Sequence, residues 1–304
     1  MKTLFYSING ILSTCFYFLN TVFWFIPIMV ASFFKLIPLK QWQTWMSSIA
    51  DKSASAWISV NRINQNIFSR TQYTLRKDPL LGPNSWYLVI ANHQSWVDIL
   101  VLQRVFNRKI PFLKFFLKQN LIFVPFLGLA WWGLDFPFMK RYSKAAIAKD
   151  PSLKGKDLET TKRACQKYEN SPVSIMNFVE GTRFNKDKAN STYTQRLALK
   201  HTLAPKTGGI AYVLSAMGDR LSKLVDVTIF YPQGIPSYWD FVCGKVENIV
   251  VDINVIDINT LLNEKTFSSQ YFTEPAQKQI FQDWLNTVWK QKDDMIEAIQ
   301  KETL

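Results

Sequence analysis

Histidine is nearly absent from this chain: 304 residues hold two, His93 and His201. Cysteine is almost as scarce, with Cys15, Cys165 and Cys243 scattered along the sequence. An odd, dispersed set makes neither a disulfide framework nor a zinc spacing, and it suits a reducing compartment. No second histidine or cysteine is spaced to join either imidazole, so no metal is expected. Acidic residues are outnumbered, 23 Asp and Glu against 36 Lys and Arg, for a net charge of +13. Such a balance fits nucleic acid, an anionic membrane surface or anionic substrates. Nucleic acid is set aside, because there is no zinc pattern, no basic helix and no RNA-binding aromatic signature. Internal repeats and low-complexity stretches are also missing.

What is plentiful is aromatic: 15% of the residues, with 23 Phe and 11 Trp. Residues 3–34 carry no charge at all. As a helix they would run about 48 Å, against about 30 Å of bilayer hydrocarbon. One tilted or kinked span would fit. Pro27 and Asn20 disfavour a regular lipid-exposed helix and leave a re-entrant pair of short helices as the alternative. The run exceeds the roughly 7–15 apolar residues of a signal peptide, and Val30-Ala31-Ser32 is a poor cleavage site, so a retained anchor is expected. Lys2 precedes it, while Lys35, Lys40, Lys52, Arg62 and Arg70 follow. If the segment spans once, that bias puts the rest in the cytoplasm. The compact chain reads as that of a bacterial inner-membrane protein. Next, Trp45, Met46, Ile49, Ala56, Trp57, Val60, Ile63 and Ile67 recur at helical spacing, interrupted by Ser53. They predict a helix at the membrane interface or docked on the domain.

The length permits one substantial core and an appendage. Strand-like runs at 86–91, 110–115, 173–179, 225–231 and 249–258 alternate with helical stretches at 95–106, 157–168 and 210–216. That alternation predicts an α/β domain with helices covering a sheet. The division expected is 1–40 as anchor, 41–80 as interfacial helix and linker, and 81–304 as catalytic domain. Ile280, Phe281, Trp284, Leu285, Val288 and Trp289 line one face of a C-terminal helix docked on that domain. Residues 115–141 are very apolar but broken by Pro125, Gly128 and Gly133. They read as a buried helix, or as a greasy surface for acyl chains with Lys114, Lys118, Lys140 and Arg141 at its edges.

Two polar islands end strand-like runs. In Asn92-His93-Gln94-Ser95-Trp96-Val97-Asp98, His93 is a candidate general base with Asp98 as its orienting partner. Ser95 and Asp98 also read as a capping box opening a helix. The readings are compatible, because such a helix turns Asp98 back toward His93. In Glu180-Gly181-Thr182-Arg183, Arg183 suits bidentate grip of a phosphate. Glu180 and Thr182 would orient the ligand or hold Arg183, and Gly181 lets backbone approach closely. A plain surface ion pair of Glu180 with Arg183 is the bland alternative. Lys206-Thr207-Gly208-Gly209 opens a helix whose N-terminus favours an anion, or is only a turn. His201 reads as structural or interfacial.

Taken in order, these blocks resemble the lysophospholipid acyltransferase family, specifically the acylglycerol-phosphate acyltransferases. The first island matches the catalytic His-x4-Asp block. Lys118-x-x-Leu121-x-x-x-Pro125-x-x-Gly128 with Lys140-Arg141 looks like the second block, and Phe178-Val179-Glu180-Gly181-Thr182-Arg183-Phe184 like the third. Gln195 to His201 and Leu203 to Gly209 resemble a subgroup with an extended third block, and Asp226-Val227-Thr228-Ile229 stands at the fourth. Val179 and the fourth block replace the prolines usual there, as in that subgroup.

The resemblance implies a glycerolipid-acyltransferase-type domain with a central mixed sheet covered by helices. It implies a membrane-bound enzyme in which the sn-2 hydroxyl of lysophosphatidic acid attacks an acyl thioester, giving phosphatidic acid. His93 would take the hydroxyl proton and Asp98 would fix the imidazole tautomer. Glu180, Gly181, Thr182, Arg183, Lys118, Lys140 and Arg141 would bind substrate. No nucleophilic serine and no bound cofactor is called for, since acyl-CoA or acyl carrier protein serves as co-substrate. Partners would be the bilayer, the lysophospholipid and the acyl carrier. Rival readings are another acceptor (lysophosphatidylglycerol, lysocardiolipin), a thioester hydrolase, and an idle membrane scaffold.

Overall fold

The computed structural model describes residues 2–139, 149–150, 156–169 and 171–303. Helix α1 (Lys2–Phe34) is continuous through Pro27, so the break of a re-entrant pair does not occur. It folds back on α2 (Lys40–Asn64). Asn20, which argued against a regular lipid-exposed helix, faces α2, as does Ser13. Asn20 Nδ2 donates to Asn61 Oδ1 (2.8 Å) and Trp57 O (3.0 Å), and Ser13 Oγ donates to Asn64 Oδ1 (3.2 Å). Polar groups satisfied between helices carry little cost in an apolar surrounding. Leu4, Phe5, Leu19, Phe23, Ile26 and Phe33 stay exposed. By length and composition α1 is the one helix among the described residues able to cross a membrane. The face α2 buries mixes Met46 and Ile58 with the small or polar Ala50, Ser53, Ala54, Asn61 and Asn64. The expected stripe leaves Trp45, Ile49 and Ile63 exposed.

Among the described residues the strands are β1 (Gln72–Leu75), β2 (Trp86–Ala91), β3 (Leu113–Phe115), β4 (Leu117–Lys118), β5 (Phe138–Met139), β6 (Ser174–Phe178), β7 (Leu221–Phe230) and β8 (Asn248–Asp257). Six form a sheet in the order β1-β8-β7-β2-β6-β3, and β4 pairs with β5 apart from it. The sheet is mixed: β7, β2, β6 and β3 are mutually parallel, β8 is antiparallel to β7, and β1 is parallel to β8. Thus the sheet draws in residues 72–75, upstream of the boundary expected at 81. β3 is shorter than the 110–115 run. Ile110 still bonds back to Phe106 O at the end of α3 (Val97–Phe106), and Pro111 has no N–H for a ladder.

Central β2 is buried on both faces, which explains its unbroken apolar run. Tyr87, Val89 and Ala91 pack with α3, while Leu88 and Ile90 pack with the helix Gly208–Met217 and the C-terminal helix Pro275–Thr303. Phe281, Leu285 and Trp289 of that last helix are fully buried, but Ile280 is exposed. Charges tie α1 and α2 to the body: Lys35 Nζ meets Asp135 Oδ2 at 2.5 Å, and buried Lys114 lies 3.1 Å from Asp51 Oδ1.

Candidate active site

Ala91, the last residue of β2, is in register with Phe178 of β6 and Val227 of β7. His93 and Glu180 each lie two residues beyond that aligned level, at the carboxyl edge of parallel strands where α/β sheets bind ligands. Asn92 prolongs the ladder by one step. Its Nδ2 donates to Ile229 O and its Oδ1 accepts the Ile229 N–H, both at 2.8 Å. The chain then turns into α3, which carries Asp98 inward to full burial.

Asp98 Oδ2 accepts the N–H groups of Gln94 (2.6 Å) and Ser95 (2.9 Å) and lies 2.8 Å from His93 Nδ1. Its Oδ1 accepts the hydroxyl of Tyr231 (2.5 Å). A carboxylate already holding three donors takes a fourth from Nδ1–H, a tautomer that leaves Nε2 as the proton acceptor. Half of the capping box forms, the Asp98 side. Ser95 Oγ instead donates to Pro236 O (2.6 Å) and accepts the Val97 N–H (3.2 Å). The imidazole lies flat on Phe178, ring centroids 3.9 Å apart and planes 12° apart.

The third block folds against the first. Phe184 N–H donates to His93 O at 2.7 Å, and Gly181 N–H closes a turn on Phe178 O at 2.9 Å. Gly181 has φ +72°, a left-handed conformation that strains any side chain, and an added Cβ would stand 3.3 Å from Lys206 Nζ. Arg183 is exposed, its guanidinium 4.7 Å from the centre of the Trp96 ring. Thr182 Oγ1 accepts from Lys188 Nζ.

Glu180 is buried and does not pair with Arg183; its Oε1 accepts the Trp289 indole N–H (3.4 Å). Burial pushes its carboxyl well above the usual range, outweighing the bonds from Trp289 and the Leu203 backbone. Lys118 is exposed in the β4–β5 ladder, outside the sheet that carries the other site residues. Lys140 and Arg141 lie outside the described residues. At Lys206 to Gly209, Thr207 spends its hydroxyl on Tyr271 (2.7 Å) and Gln282 (3.2 Å), and Gly209 is close-packed, an added Cβ falling 2.2 Å from Asn177 Nδ2. The His201 backbone is tied on both sides: its carbonyl accepts from Gln94 Nε2 (3.2 Å) and its N–H donates to Asp293 (2.8 Å). Among the described residues no three His, Cys, Asp or Glu side chains are grouped to hold a metal.

Sequence reasoning missed Tyr231, Phe178 and Trp289 as partners of the site. Phe178 sits in the quoted third block, so its place in the strand was a usable signal. Tyr231 and Trp289 meet their partners across 133 and 109 residues, with no local trace.

A base held by a buried carboxylate and a cation on the adjoining turn equip this edge to deprotonate a hydroxyl beside an anion. Comparison with known proteins agrees in kind. A family model described as Acyltransferase matches residues 66–232, more than half of the chain. The chain is 25% identical over 237 residues to "Uncharacterized acyltransferase YDR018C" of Saccharomyces cerevisiae, covering 69% of this chain and 58% of that protein. Lysocardiolipin acyltransferase 1 of Gallus gallus is 23% identical over 284 residues, 90% of this chain and 66% of its own. For 1-acyl-sn-glycerol-3-phosphate acyltransferase gamma of Homo sapiens the figures are 24% over 221 residues, 69% and 52%. The match thus spans about half to two thirds of these relatives. The crystal structure of the 1-acyl-sn-glycerophosphate (LPA) acyltransferase PlsC from Thermotoga maritima shares the fold, with a TM-score of 0.57 over 96% of this chain and 98% of that one at 14% identity. On the family match, backed by the shared mixed-sheet fold, this chain belongs to the acyltransferase family.

Proposed function

We propose that this chain moves a fatty acyl group from acyl-CoA or acyl carrier protein to the sn-2 hydroxyl of lysophosphatidic acid, giving phosphatidic acid. The observation that carries the reading is the His93–Asp98 pair, with Arg183 brought beside it by the Phe184-to-His93 hydrogen bond. The acceptor O–H proton passes to His93 Nε2 as its oxygen attacks the thioester carbonyl. The C–S bond then breaks, and the departing sulfur takes the proton back from the imidazolium, leaving as a thiol. Asp98 holds the ring and balances its charge. Arg183 grips the acceptor phosphate, with Thr182 and Gly181 shaping the turn under it. Lys118, Lys140 and Arg141 are proposed as further phosphate contacts. The acyl carrier is a co-substrate, and no resident cofactor is part of the proposal.

An acyl chain has a place to lie. A partly open apolar pocket, about 460 Å³ with open solvent counted, lies between α1, α2 and residues 126–136, lined by Phe25, Ile28, Ala54, Ala130, Trp131 and Phe136 among others. From His93 a row of stacked rings leads that way: Phe178, then Phe115 at 6.2 Å, then Phe136 at 6.4 Å. This favours the greasy-surface reading of that segment. The exposed apolar side of α1 supports membrane attachment, and the Lys and Arg that follow it favour a cytoplasmic catalytic face. A bacterial inner membrane has no support in the sequence relatives compared above, which are eukaryotic.

A second acceptor has a specific observation behind it. The relative named for lysocardiolipin matches 90% of this chain, more than the one named for acylglycerol phosphate. The test is transfer from labelled acyl-CoA to lysophosphatidic acid, lysophosphatidylglycerol and lysocardiolipin, using membranes with the wild-type chain or His93→Ala. Phosphatidic acid from the wild type alone is the expected result. Equal transfer by both would remove His93 from the chemistry.

A further inference from the structure

Trp96 lies between His93 and Asp98 in sequence but, unlike Asp98, is left exposed. His93 precedes the turn, Val97 and Asp98 are buried, and Trp96 stands 56% exposed at the N-cap of α3. A large indole left in the open next to a reactive site has no packing reason to be there. It does have a partner: the Arg183 guanidinium lies over its face, 4.7 Å from the ring centre. Among the described residues no acidic side chain pairs with Arg183: Glu180, three residues away, is turned inward onto Trp289. A guanidinium on a five-torsion side chain would otherwise sample many directions, and each bond it makes to a ligand would cost that freedom. Held over an aromatic face, the guanidinium keeps its charge, and the ring takes up none of it as a carboxylate would.

We propose that Trp96 is a positioning residue and a determinant of acceptor recognition: its indole holds Arg183 over the His93 edge, prearranged for the phosphate of the acceptor. This rests on the acyltransfer reading above and deepens it. The backbone bond from Phe184 N–H to His93 O fixes the level of Arg183, and the indole fixes its direction. A carboxylate in place of the indole would also hold Arg183, but it would neutralise the charge and occupy the fork that a phosphate needs. An aromatic face orients the cation and leaves both available.

The test uses the full chain in nanodiscs, with Trp96→Leu, Trp96→Phe, Arg183→Leu and the double variant Trp96→Leu/Arg183→Leu. Acceptor KM, donor KM and kcat are measured for whichever phosphate-bearing lyso-acceptor the wild type turns over. Trp96→Leu should raise acceptor KM about fivefold, with donor KM and kcat within about twofold, as expected for a modest cation–π contact. Trp96→Phe should recover most of the loss. In the Arg183→Leu background, Trp96→Leu should add nothing further. Independently of turnover, the arginine Nε–H resonance lost in Arg183→Leu should carry an upfield ring-current shift that disappears in Trp96→Leu. Multiplicative effects of the two substitutions, or an unshifted Arg183 resonance, would overturn the inference. A shifted resonance in a protein that acylates no phosphate-bearing acceptor would uphold the pairing and bring down the proposed function instead.

Discussion

The Tyr231 hydroxyl donates to Asp98 Oδ1 at 2.5 Å, joining the residue after β7 to the first turn of α3. Burial, and then the carboxylate beside it, push this phenol well above its usual pKa, so it remains a donor wherever the enzyme works. It is one of four groups that Asp98 gathers. Tyr231→Phe should therefore lower kcat by about tenfold, the scale of one hydrogen bond to a charged group, with substrate KM little changed. Asp98→Asn should cost roughly a thousandfold, because it also favours the wrong imidazole tautomer. Steady-state rates of the two variants check this. Equal losses would mean that the phenol, and not the ring geometry, limits the reaction.

Glu180 carries a pH signature. Its folded-state pKa lies well above the ordinary 4.5, through burial. Above about 4.5 the unfolded chain gives up this proton while the folded chain keeps it, so its contribution to stability is full below that pH and is lost as pH rises toward the folded pKa. Glu180→Gln keeps an acceptor for Trp289 and removes the titration. The melting temperature of the wild type, relative to Glu180→Gln, should fall between pH 5 and pH 8 in one detergent. Parallel curves for the two proteins would contradict the placement of Glu180.

The cavity beside α1 makes a prediction about chain length. Ala130 and Ala54 line it and are buried, so a larger side chain at either must intrude. Ala130→Leu should shift donor preference to shorter acyl chains, with the rate on a long chain falling several-fold more than on a short one. Competition between two labelled acyl-CoAs gives the ratio directly. An unchanged ratio, with the protein folded, would place the acyl chain elsewhere.

The C-terminal helix is fastened to the fourth block by a buried charge. Lys292 Nζ lies 2.8 Å from Asp226 Oδ1 and donates to Val227 O (2.6 Å) and Thr228 Oγ1 (3.0 Å). Lys292→Met strands Asp226 in the interior and should cost about 3–5 kcal/mol. Adding Asp226→Leu should restore most of that, since an apolar pair of similar volume is tolerated. Chemical denaturation of the single and double variants measures the difference. A double variant no better than the single would show that Asp226 is satisfied by other means.

Much of the site was legible because its chemistry is local. His93 and Asp98 lie five residues apart, and the start of α3 turns Asp98 back toward the residues just ahead of the helix. The strand ahead of them announced itself by an apolar run too short for a helix. β1 was not legible, since the partly exposed, alternating Gln72 to Leu75 becomes a strand only through pairing with β8. Asn20 and Pro27 misled in the other direction: they suggested a break, but α1 runs through Pro27 and α2 supplies partners for Asn20.

By itself, then, the sequence determined the pairing of His93 with Asp98, the long apolar N-terminal helix and the alternation of strands and helices, because each depends on residues within a few turns of one another. Only the tertiary structure decided that Glu180 faces inward to Trp289, that Tyr231 closes the Asp98 shell, and that Arg183 rests on Trp96. Those outcomes depend on strand register and on which helix covers which edge. A side chain's surroundings across a hundred residues are set by how whole layers pack, and no local periodicity encodes that.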